Sequence, residues 1–77
     1  MKWVKWDSDG TLYLSDEYAK DFPVRMADIE CIRRRKNKIG ILMTSQSASI
    51  HWYETIESAI EAAAEIRAAW QERREKG

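Results

Sequence analysis

One cysteine, one histidine, one proline and three glycines in 77 residues each close off a class of protein. With Cys31 alone, the chain has no internal disulfide. That separates it from small secreted scaffolds and points to a reducing, cytoplasmic address. His51 has no Cys, Asp or Glu beside it at ligand spacing, so the local sequence spells neither a metal site nor an acid–base pair. Gly10, Gly40 and Gly77 stand apart from one another, which excludes a phosphate-cradling glycine loop. No apolar run approaches the ~20 residues needed to cross a bilayer, and Met1 to Asp7 lacks the apolar centre of a signal peptide. The formal net charge is zero, a poor basis for general polyanion binding, whose strength scales with the phosphates neutralised. The expectation is a protein without catalytic residues, cofactor, metal or membrane segment.

What the chain does have is large side chains and segregated charge. Residues 1–77 make one domain, and at this length only about 60% of the unfolded surface is buried on folding. Trp3, Trp6, Trp52 and Trp70 offset that shortage, since each can bury roughly 150–250 Å². Self-association is the other remedy, and a homodimer is expected on that ground. Charge is concentrated in residues 31–40, which hold five cations and no acid.

The pattern predicts an α+β fold: a small antiparallel sheet of about five short strands with one long C-terminal helix on one face. Trp3–Trp6 and Thr11–Leu14 flank Asp7-Ser8-Asp9-Gly10 as a hairpin. The same four residues resemble the start of a calcium loop, but Leu12 and Tyr18 occupy the places of its glycine and bidentate acid. Ser15 to Val24 reads as a structured connector closed by Pro23. Ile29–Arg35 and Lys38–Thr44 form a second hairpin turning at Lys36-Asn37, where Asn37 tolerates left-handed geometry. Ser49–Tyr53 is the last strand, with Ile50 and Trp52 on one face and His51 and Tyr53 on the other. From Thr55 to about Glu75 the spacing of Ile56, Ile60, Ala63, Ile66 and Trp70 predicts a helix buried along that stripe, which Ala59, Ala62 and Ala69 broaden as close-packing positions against the sheet. Trp3, Ile32, Leu42 and Tyr53 are then candidates for the sheet's open face, which a partner would cover.

Two surfaces stand out as partner-binding candidates. Alternation sends Arg33 and Arg35 one way and Arg34 and Lys36 the other, with Lys38 beyond the turn. Such a tip grips carboxylates or phosphates through bidentate arginine, or serves only to keep a strand edge from pairing. Trp52 and Tyr53 follow His51 as a second contact pair. Cys31 with His51 as its base has no local support as a nucleophilic pair. In size, neutral charge balance and lack of active-site residues the chain resembles the small accessory and inhibitor proteins that phages encode, anti-CRISPR proteins among them. That resemblance, which rests on type and on no motif, implies a non-enzymatic module docking on a larger partner with an acidic patch. The alternative is a nucleic-acid binder using the Arg33–Lys38 hairpin.

Overall fold

The computed structural model describes residues 2–76, with side chains as far as Arg73. Among these residues the chain runs β1 (Val4–Trp6), β2 (Thr11–Leu14), β3 (Phe22–Arg25), a 3₁₀ turn (Met26–Asp28), β4 (Ile29–Arg35), β5 (Lys38–Met43), β6 (Ala48–Trp52) and α1 (Ile56–Lys76). The α+β class holds, with antiparallel strands and one C-terminal helix. The strands number six rather than five and divide into two three-stranded sheets, β1-β2-β3 and β4-β5-β6.

The first hairpin turns at the expected place. Gly10 takes φ 92°, its amide donates to the Asp7 carbonyl at 3.1 Å, and the Thr11 amide donates to Asp9 Oδ1 at 2.9 Å. The extra strand is β3, which sequence reading absorbs into the connector because of Pro23. Pro23 pairs with Tyr13 on the outer edge of the first sheet, where a missing N–H facing outward costs no ladder bond. The connector before it is no helix. Asp16 Oδ1 accepts the amides of Tyr18 at 2.8 Å and Ala19 at 2.7 Å, a side-chain substitute for a backbone turn.

In the second sheet the two-residue turn fixes the register Arg35↔Lys38, so that Arg33 faces Gly40 and Cys31 faces Leu42, and a bulge shifts the register between Cys31 and Ile29. The left-handed residue of that turn is Lys36, at φ 55°, not Asn37. Asn37 serves as a bonding partner instead: its carbonyl accepts the Tyr53 amide at 2.9 Å, and its Nδ2 donates to the Tyr53 carbonyl at 2.8 Å.

Both sheets and the helix share one core, built on Leu12, Leu14, Ile39, Ile41, Tyr53 and Ile66. The buried stripe of α1 is rotated from the predicted one. Ala59, Ala62, Ala63, Ile66 and Ala69 face inward, while Ile56 and Ile60 are about half exposed. The sheets already supply the bulk, so the helix fits by presenting methyl groups at native packing density. At its start the Ser58 amide donates to Thr55 Oγ1 at 3.0 Å, the expected cap. The N-terminal segment meets the middle of α1 where the Trp3 amide donates to Glu65 Oε1 at 2.9 Å. The Trp3 ring stands edge-on to Tyr53, with centroids 5.3 Å apart.

Two outcomes follow from this core. Ile66→Ala should cost about 2–5 kcal/mol in a denaturant titration, whereas Ile60→Ser should stay within about 0.5 kcal/mol; equal losses would refute the rotation. Tyr53 is fully buried and its hydroxyl has no hydrogen-bond partner among the described residues. Burial pushes its ionisation far above the usual range, with the Asp16 and Glu65 charges adding to the shift. The native chain therefore keeps a proton that the unfolded chain loses near pH 10, and stability falls as pH rises beyond about 10. Denaturant titrations from pH 9 to 11 should show that decline, and Tyr53→Phe should flatten it while gaining about 1 kcal/mol at pH 7. Identical slopes in the two proteins would place the alkaline transition elsewhere.

Candidate protein-interaction face

Strand alternation assigns every side chain of the second sheet to one of two faces. Ile32, Ile39, Ile41 and His51 point into the core. Their neighbours form three rows on the other face: Cys31, Leu42 and Ala48; then Arg33, Gly40 and Ile50; then Arg35, Lys38 and Trp52. This face is open to solvent, since Leu42 is 39% exposed, Ile50 51% and Trp52 44%. Apolar side chains that large, side by side on a small domain, make this face a candidate for interaction.

The electrostatics run along the same rows. Arg33 and Arg35 are exposed, and neither they nor Lys38 enter an ion pair among the described residues. Lys38 Nζ lies 5.4 Å from the Trp52 ring centroid, a cation–π contact that holds the ammonium over the indole. Arg35, Lys36, Asn37, Lys38 and Trp52 enclose a hollow of about 220 Å³ at the hairpin tip. A larger hollow of about 540 Å³ lies on the part of the face away from the tip, its lining including Glu30, Cys31, Arg33, Gly40, Leu42 and Ala48.

The residues picked from sequence separate accordingly. Arg33, Arg35, Lys38 and Trp52 are brought together on the open face, and Lys36 is exposed at the turn. Arg34 is not with them: it is half-buried on the opposite side, and its guanidinium donates to the Lys36 carbonyl at 2.9 Å. Tyr53 offers no contact surface either, because Asn37 anchors its backbone and its ring lies in the core. Of the four residues expected on the open face, only Leu42 is there; Ile32 and Tyr53 are buried and Trp3 packs against the core. Ile50 and Gly40 were missed, although the two-residue turn and alternation place both on that face.

His51 has partners that local spacing does not show. Its Nδ1 lies 3.0 Å from Asp16 Oδ2 and its Nε2 3.0 Å from Ser49 Oγ, and the Phe22 ring stands edge-on to it at 5.1 Å. Contacts in that order allow a proton to pass between Ser49 and His51, yet Ser49 lines none of the hollows described here. The work evident from this geometry is to bind the connector to β6, which the Glu17 amide reinforces by donating to the Trp52 carbonyl at 2.9 Å. Cys31 lies on the open face and His51 on the inner one, so they form no pair.

Gly40 is the face's anomaly. Its φ is not left-handed, and a methyl group built there meets nothing closer than Ile50 Cδ1, at 3.6 Å. Neither backbone nor sterics demand a glycine, and mid-strand glycine is destabilising. Gly40→Ala should therefore gain about 0.4–1 kcal/mol, read as a higher melting midpoint; a loss would mean that the strand itself needs the glycine. Comparison of the chain with protein families, with curated proteins and with solved structures finds no match.

Proposed function

We propose that this chain is a non-enzymatic docking module that lays the open face of its second sheet on a larger, acidic protein partner and inhibits it by occupying that surface. The observation that carries the reading is the row-by-row juxtaposition of exposed Leu42, Ile50 and Trp52 with Arg33, Arg35 and Lys38, which enter no ion pair among the described residues. An apolar centre with arginine and tryptophan at its margin is the composition of binding hot spots. Carboxylates on the partner supply the charge that this face lacks, in bidentate geometry. Nucleic acid fits less well, because the aliphatic side chains of Leu42 and Ile50 offer no stacking platform, and Trp52 is the one aromatic ring on this face. Like charges oppose two such faces stacking together. In this reading a second copy docks instead on half-exposed Ile56 and Ile60 of α1, giving a homodimer. No described helix is long and apolar enough to cross a membrane, and a cytoplasmic setting accords with the single free cysteine.

The test is a charge reversal, Arg33→Glu, Arg35→Glu and Lys38→Glu together, compared with wild type in affinity capture from nuclease-treated lysate. Circular dichroism should stay unchanged, since exposed charges contribute under about 1 kcal/mol each. Capture of an acidic protein should be lost. If instead both proteins retain the same partners, or wild type binds oligonucleotides with a steep salt dependence of about −0.9 per phosphate, the docking role is wrong.

A further inference from the structure

The hollow over Gly40 specifies what the partner presents. Gly40 has no side chain and Ala48, which also lines the hollow, has only a methyl, while Leu42 rises beside them and Ile50 lies opposite Gly40 just outside the hollow. A strand glycine that neither φ nor sterics require marks a place where another molecule approaches the backbone closely. At about 540 Å³ the hollow is wide enough for bulky apolar side chains. The dimensions of the whole face set the shape of what enters. From the Cys31 row to the Arg35 row is four residues, roughly 13 Å along the strands, and the three strands span roughly 10 Å. Two turns of α-helix measure about 11 Å by 10 Å. An extended strand, by contrast, gains its affinity from backbone bonds at a sheet edge, which a sheet face does not offer.

Charge fixes the orientation. The cations Arg33, Arg35 and Lys38 lie toward the hairpin tip, and Glu30, farther from it along β4, lines the hollow. Resting on the docking role above, we propose that the face seats one amphipathic helix of the partner. Large apolar anchors one turn apart lie over Gly40 and against Ile50 and Trp52. The helix's carboxylates run along the Arg33–Arg35–Lys38 side, away from Glu30. The anchors supply affinity by leaving water, and the arginines select acidic helices over neutral ones.

The probe is a synthetic 18-residue helical peptide with phenylalanine and leucine at i and i+4 on one side and glutamates flanking them. Isothermal titration should detect its binding to wild type, and amide shifts should cluster at Gly40, Leu42 and Ile50 rather than in β1–β3. Gly40→Val fills the hollow and should weaken binding about tenfold or more, the share of one buried anchor, with the melting midpoint confirming the fold. Gly40→Ala, which adds a single methyl, should give a smaller loss and keeps the test readable if valine disturbs the strand. Replacing the peptide's anchors with alanine, or its glutamates with glutamine, should each reduce binding further. Undiminished affinity of Gly40→Val, or of the alanine peptide, overturns the helix seat. So does a probe that fails to bind wild type; if the charge reversal still abolishes capture of an acidic protein, the docking role stands and the helical occupant alone is lost. Binding of an oligothymidine in place of the peptide overturns both.

Discussion

A single helix closes the core of this chain, and it does so largely on methyl groups. Ala59, Ala62, Ala63 and Ala69 bring the backbone of α1 close to sheets whose own side chains, Leu12, Ile39, Ile41 and Tyr53, fill the space between. The arrangement is frugal and one-sided. Among the described residues one helix covers one face of the second sheet, and the other face stays exposed at Leu42, Ile50 and Trp52. The outer rows are thereby left open, and the packing of the core does not fix which side chains they carry. The same constraint pushes Ile56 and Ile60 outward, since larger side chains on the inner stripe would hold the helix away from the sheets.

What could be read from sequence, and what could not, follows from the range of the forces involved. Period-two alternation in 29–35, 38–43 and 49–53 reflects strand geometry alone, so β4, β5 and β6 were legible, as was the division of Ile50 and Trp52 from His51 and Tyr53. The helix and its Thr55 cap were legible for the same reason. Pro23 concealed β3, because proline's exclusion from sheets lapses on an edge, and edge position is a property of the assembled fold. The alanines of the helix stripe were legible, but Ile56 and Ile60 were placed inward by weighting size, when the volume left by the sheets decided which side chains fit.

The site was half legible. Arg33, Arg35, Lys38 and Trp52 followed from alternation and the turn. Tyr53 did not, because what takes it inward is its backbone pairing with Asn37, a contact across 16 residues. The His51–Asp16 pair spans 35 residues, and no local spacing announces it. Gly40 was visible as a letter but not as a gap, since its meaning depends on Ile50 lying 3.6 Å from where its methyl would be.

The bond between Trp3 and Glu65 closes a loop of 62 residues. Bringing such distant groups together costs on the order of 4 kcal/mol of chain entropy, growing only slowly with length, whereas β4, β5 and β6 join sequential neighbours through short turns. Local pairing is the faster step. Both sheets can therefore assemble as meanders before Trp3 meets Glu65, which makes that contact the latch of the fold. During synthesis both sheets can be shaped while Trp3 still waits for the helix that will hold it.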